Sequence, residues 1–284
     1  FFKNPRLSMM VRIFDKMKPD RKKIILKSAD KFIKYIAFLG LIFFSYMAYS
    51  DNHVPRSYGM EGYQCNLQPG KDLNDVMKFI EESLNPHADK YWSAPYSGFV
   101  MTPFLRSEEI DFDFAWVGFT NNHKDLGIIQ DSWFSEAAAS TSEEWASLSD
   151  CFSQGYYMAI EARTPTVPFV EGENTYFAVY SCSFKEGKSV KDLAENDKAW
   201  NEYNDKRGFT GGVWRWVPGA GTSNSFEGDF FLNVSYNSWE ELGEYLDDSF
   251  WGKTPRPESI LNCDKPRVYA ANNARNRPFE VPEK

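Results

Sequence analysis

Cys65-Asn-Leu-Gln-Pro-Gly70-Lys71 returns as Cys182-Ser-Phe-Lys-Glu-Gly187-Lys188, 117 residues further along the chain. Four more groups recur in the same order. Asp113-Phe114 reappears as Asp229-Phe230, and Leu126-Gly127 with Asp131 reappears as Leu242-Gly243 with Asp247, both at an offset of 116. Cys151 corresponds to Cys263, and Tyr157-x-Ala159-x-x-Ala162-Arg163 to Tyr269-x-Ala271-x-x-Ala274-Arg275, at an offset of 112. So little drift over five groups marks a tandem duplication. Copies of this length are domain-sized units rather than solenoid repeats. The first copy covers residues 60–163 and the second 176–277. Residues 164–175, with Pro165, Pro168 and Gly172, read as the linker, and 278–284 as a loose tail.

Both copies imply the same order of elements. Strand one places Tyr63, Cys65 and Leu67 on one face, mirrored by Tyr180, Cys182 and Phe184. Asp72 with Asp75, and Ser189 with Asp192, are N-cap pairs that open helix one, followed by the stripe Leu73, Val76, Met77, Ile80. Strand two is expected near 98–104 and 213–217, with Pro103 and Pro218 ending it, and strand three at 113–119 and 229–236. Asn122 with Asp125 and Ser238 with Glu241 start helix two. A turn or short helix falls within 137–150 of the first copy, and strand four at 152–162 and 267–274.

This β-α-β-β-α-β order is the ferredoxin-like arrangement, a four-stranded antiparallel sheet with both helices on one face. Its other face is bare and must be covered. The tandem pair resembles the dimeric α+β barrel superfamily, on element order and duplication rather than a signature motif. The resemblance implies an α+β fold: two tandem ferredoxin-like units whose sheets pack face to face as an intramolecular pseudo-dimeric barrel. Strand four then lies beside strand one, so Cys65 is expected to pair with Cys151 and Cys182 with Cys263.

Net charge is −8 overall, but residues 1–50 carry 11 Lys/Arg against 3 Asp/Glu. The remainder holds 21 basic and 37 acidic groups, a body that phosphate backbones repel, so nucleic acid is not an expected partner. Lysines between Lys22 and Lys34 precede the apolar run Tyr35–Tyr49, and Ala48-Tyr49-Ser50 has the small residues of a signal-peptidase site. Residues 1–50 read as a signal peptide, with Met9, Met10 or Met17 as alternative starts. The competing reading is an uncleaved anchor, the one route by which membrane enters. Either way the body is expected to be extracytoplasmic, periplasmic or secreted, where disulfides form.

No metal site is expected, because no cysteines are spaced C-x-x-C and the chain has 3 His. No cofactor is called for, since nucleotide and nucleophile motifs are missing from the sequence. Gly211-Gly212 and Gly219-Ala-Gly221 read as turns, and Lys71 and Lys188 as solvated charges. Asp131 and Asp247 read as structural, and Arg163 and Arg275 as partners of carboxylates. His53 and His87 are placed in loops. Trp92, Trp116, His123, Trp214 and Trp216 are the candidate ligand-binding residues. Trp214 and Trp216 share one strand face by the period of two, and His123 stands where the second copy has Trp239.

Some superfamily monooxygenases work without metal or cofactor through Asn, Trp and His. Trp116, Asn121, Asn122 and His123 are near one another in sequence, but they do not align with that pattern. The expected function is binding of a small apolar or aromatic ligand, or of a partner protein, with the barrel interior as the site. The alternatives are a monooxygenase-like enzyme and a structural envelope component.

Overall fold

A computed structural model describes residues 56–106, 110–223, 225–252 and 254–277. Residues 1–50, where a signal peptide is expected, His53 and residues 278–284 lie outside the described residues.

The first copy supplies β1 (Ser57–Leu67), α1 (Leu73–Phe79), α2 (Asn85–Tyr91), β2 (Ser97–Leu105), β3 (Phe114–Thr120), α3 (His123–Trp133), α4 (Ala139–Leu148) and β4 (Ser149–Arg163). The second supplies β5 (Asn174–Phe184), α5 (Leu193–Lys206), β6 (Val213–Pro218), β7 (Phe230–Tyr236), α6 (Trp239–Trp251), β8 (Leu261–Cys263) and β9 (Arg267–Asn276). Each helix layer starts where its cap residues dictate. Asp72 and Ser189 close capping boxes with Asp75 and Asp192, while Asn122 and Ser238 accept the amides of Asp125 and Glu241.

Within each copy the strands lie in the order four-one-three-two, β4-β1-β3-β2 and β9-β5-β7-β6. The copies then join through their edges. β4 pairs with β6 and β2 with β9, which closes eight antiparallel strands into one barrel, with β8 alongside β5. The fold is therefore the tandem ferredoxin-like α+β barrel. Its two sheets are hydrogen-bonded into a single wall rather than only stacked, which leaves neither long edge unpaired. Both expected disulfides are present, on directly opposed residues: Cys65 faces Cys151 and Cys182 faces Cys263.

Three details depart from the sequence reading, and one, the short helix expected within 137–150, is met by α4. β2 continues past Pro103 to Leu105, with an irregular register there. Helix one of the first copy runs through a π-helical turn, Ile80–Leu84, into α2, so His87 is a buried helical residue and not a loop residue. Pro86 is tolerated because it sits in the first turn of α2, where its missing N–H costs little. Strand four of the second copy is split, since Pro266 has no N–H to give to the ladder between β8 and β9.

The barrel interior is filled by Met60, Phe99, Met101, Val117, Phe177, Trp216 and Ala271, with Trp214 packed against them. These side chains, drawn from both copies, fill space that the eight strands enclose. The opposite faces carry the helices and three further apolar clusters. Arg163 at the end of β4 reaches Asp205 of α5 at 2.8 Å, and Arg275 near the end of β9 reaches Asp89 of α2 at 2.8 Å. Each fourth strand thus braces the helix layer of the other copy. Asp131 and Asp247 face solvent.

Candidate functional site

Two cavities formed by the described residues lie outside the barrel interior. Both lie between a sheet and the helices that cover it, one in each copy. The larger, about 510 Å³, opens in the first copy and falls within the size range of small-molecule sites. The smaller, about 220 Å³, occupies the related place in the second.

The larger cavity begins with strand parity. Cys65 must face the helix layer to reach Cys151, so Tyr63 and Glu61 face it too. Cross-strand pairing sets Cys65 opposite Phe114, Tyr63 opposite Trp116 and Glu61 opposite Gly118. One strand further, Gly118 is paired with Gly98. Those two glycines leave bare backbone beside Glu61, and the aromatic rings occupy it. A Cβ at Gly118 would lie 1.7 Å from Tyr96 Oη, and one at Gly98 would lie 2.6 Å from the Trp116 ring. Tyr96 and Trp116 stack over this patch with planes 11° apart.

The result is a carboxylate at the cavity wall held by converging donors. Tyr96 Oη donates to Glu61 Oε1 at 2.5 Å, and Tyr63 Oη to Oε2 at 3.0 Å. Gln130 Nε2, from α3, donates to Glu61 Oε2. Trp116 Nε1 donates in turn to Tyr96 Oη at 2.6 Å. Glu61 is 4% exposed. Burial raises its pKa, opposed by the hydrogen bonds from Tyr96, Tyr63, Gln130 and Trp116. Burial and the neighbouring Glu61 also push both phenols up, so each tyrosine stays a proton donor. Such a carboxyl can take up a proton, or neutralise a cation brought to it.

Around Glu61 the wall is aromatic: Phe79, Trp92, Trp116, Trp133, Trp145 and Tyr156, with the Cys151 sulfur and the turn at Ala220 and Gly221. The Gly219-Ala-Gly221 turn thus closes part of the cavity, through Tyr156 N donating to Ala220 O at 2.7 Å.

The five sequence candidates are not brought together. Trp92 and Trp116 line the cavity. Trp116 was expected on the bare sheet face with Trp214 and Trp216, but the parity that sends Cys65 outward sends Trp116 outward with it. Trp214 and Trp216 are on the barrel side of β6, with Arg215 on the other. His123 is exposed at the first turn of α3, its Nε2 3.0 Å from the Tyr157 carbonyl. Asn122 caps that helix, and neither lines the cavity. Glu61, Tyr63, Gln130, Trp133 and Trp145 were absent from the candidate set. A glutamate two residues before Tyr63, on the apolar face of strand one, was the available signal.

The second cavity holds a charge of the opposite sign. Arg215 is buried and bound bidentately by Asp197 of α5. Among the described residues no cluster of three or more His, Cys, Asp or Glu could hold a metal ion, and no helix is long and apolar enough to cross a membrane.

No family model matches the chain, and no curated protein matches it. Solved structures do resemble it. A dye-decolorizing peroxidase from Bacteroides thetaiotaomicron is similar at a TM-score of 0.47 and 11% identity, over 78% of this chain and 97% of that one. The chlorite dismutase of Candidatus Nitrospira defluvii gives 0.43 and 9%, over 78% and 93%. An anthrone oxidase-like protein gives 0.41 and 12%, over 80% and 98%.

Proposed function

We propose that this is an extracytoplasmic binding protein that holds a small, flat or apolar molecule between the sheet and helices of its first copy. The observation that carries the reading is the cavity of about 510 Å³ walled by four tryptophans, Trp92, Trp116, Trp133 and Trp145, with one charged anchor group at Glu61. The two disulfides are those of an oxidising compartment. Together with the basic, apolar first fifty residues, they support export. The barrel interior serves as a packed fastener, and Trp214 and Trp216 belong to it.

Fluorescence titration with the neutral flat probe N-phenyl-1-naphthylamine tests the reading. The parent protein binds it; Trp145→Ala weakens capture at least tenfold, while Trp214→Ala lowers stability and leaves capture unchanged. If Trp214→Ala abolished capture and Trp145→Ala did not, the site would return to the barrel interior.

A further inference from the structure

We infer that the cavity of the first copy is built for an organic cation, an ammonium group carried on a flat or apolar body, with Glu61 as its counter-charge. The inference rests on the cavity being the ligand site, and adds the chemical class of what enters it.

Four observations carry it. Glu61 is the one charged side chain lining the cavity, and no Lys or Arg is among the lining residues. No described salt bridge reaches Glu61. Its hydrogen bonds come from neutral groups, Tyr63, Tyr96 and Gln130, all donating towards it. That pattern suits the ionised form, and three donors leave a carboxylate room to accept one more. Second, much of the remaining wall is aromatic, Phe79, Trp92, Trp116, Trp133, Trp145 and Tyr156 among it, and ring faces draw cations once water is excluded. Third, the second copy shows what this fold does with a buried charge that needs no ligand: Arg215 is neutralised internally by Asp197. At the places of Glu61 and Gly118 the second copy has Ala178 paired with Val234, so the acid is not a requirement of the fold. Fourth, residues 51–284 are strongly acidic, a field that attracts cations.

Cation uptake is then linked to loss of the Glu61 proton. The groups facing Glu61 are Tyr63 on β1, Tyr96 ahead of β2, Trp116 and Gly118 on β3, and Gln130 on α3. Tyr156 on β4 interacts with it across the cavity, and Asp131 lies behind Tyr156. Arg275, paired with Gly98 on the far side of β2, is engaged by Asp89. Burial holds the phenols of Tyr63, Tyr96 and Tyr156 up, so they keep their protons, and Glu61, itself raised by burial, is the cavity-lining carboxyl whose proton the cation displaces.

The test uses phenyltrimethylammonium and its neutral carbon isostere, tert-butylbenzene, titrated against the intact protein. The cation is expected to bind at least tenfold more tightly, with an affinity that rises with pH through the Glu61 titration. Glu61→Gln should remove that preference and retain the isostere. If the isostere binds as well as the cation, the inference falls and the cavity remains an apolar site. If neither probe nor N-phenyl-1-naphthylamine binds, the ligand-site reading falls with it. The comparison of probes on the parent protein decides the matter even if Glu61→Gln fails to fold.

Discussion

Gly118→Ala isolates the space that makes the site. The added methyl would begin 1.7 Å from Tyr96 Oη, 2.3 Å from Cζ and 2.8 Å from Cε2, so the whole phenol ring must retreat. It cannot retreat and keep its 2.5 Å bond to Glu61 or the 2.6 Å bond it accepts from Trp116. Overpacking a filled core costs about 1–3 kcal/mol. Depriving a buried carboxyl and a buried phenol of each other adds about 1–3 kcal/mol. Replacing Gly returns roughly 0.5–1 kcal/mol through the unfolded chain. The net expectation is a loss of about 1–5 kcal/mol in urea unfolding, with the intrinsic tryptophan emission altered because Trp116 loses its acceptor. Gly127→Ala is the control, the same chemical change in helix α3, where a Cβ meets nothing within 4 Å. It should gain roughly 0.5–1 kcal/mol. If Gly118→Ala were as stable as the parent to within about half a kcal/mol, Tyr96 would not lie against β3 and the cluster at Glu61 would be misassigned.

Two further outcomes follow from the same geometry. Replacing Cys65 and Cys151 by Ala opens a cross-link spanning 86 residues, and Cys182 with Cys263 one spanning 81; the chain-entropy relation gives about 4–5 kcal/mol for each, read by denaturation, and near-equal losses are expected because the spans are near equal. The pH dependence has two limbs of opposite sign. Glu61 has a native pKa above its unfolded value, so stability falls as pH rises from the ordinary carboxylate range through the raised value, and Glu61→Gln should remove that limb. Asp89 is held low, first by its hydrogen bond from Arg277, and Asp248 first by that from Tyr203. Both contribute stability present above the ordinary range and lost as pH falls through their lowered values; an unchanged profile in Glu61→Gln would show that Glu61 titrates normally.

The repeat made the strands, caps, disulfides and barrel legible because each rests on local pattern plus one register. Cys65 and Cys182 each name a strand, a face and a neighbour, and the second copy checks the first. The side of the sheet on which Trp116 lies was legible in principle. Asp113-Phe114 recurs with Cys65, and once Phe114 stands opposite Cys65, Trp116 shares its face. Reading Trp116 by its aromatic type, as one of a cluster with Trp214 and Trp216, overrode that parity. Edge closure was harder, since β4–β6 and β2–β9 pair strands of different copies with no turn to fix them. Tyr96 could not have been assigned: it precedes β2 and meets Glu61 across 35 residues of chain, a contact made possible by a glycine on a third strand, Gly118. The π-helical turn at Ile80–Leu84 left no mark on the apolar stripe that precedes it.

Closure and duplication together explain why the site lies outside the barrel. Inside the closed eight-stranded wall Phe99 and Trp216, drawn from different copies, meet with Phe177, so both copies are held to apolar inward faces. The outward faces are under no such joint constraint, because each is covered by its own helices. The corresponding positions have diverged there: Glu61 with Gly118 against Ala178 with Val234, Trp116 against Leu232, Gln130 against Leu246. Two braces, Arg163 to Asp205 and Arg275 to Asp89, fix each helix layer to the opposite copy's strand. Arg275 also lies over the Trp92 ring at 5.5 Å, which ties the second copy's last strand to the wall of the first copy's cavity. The second copy therefore acts on the site as scaffold: it closes the barrel, anchors α2 and Trp92, and keeps its own buried charge paired. Specialisation is left to the half in which a carboxylate faces an aromatic cavity without a cation of its own.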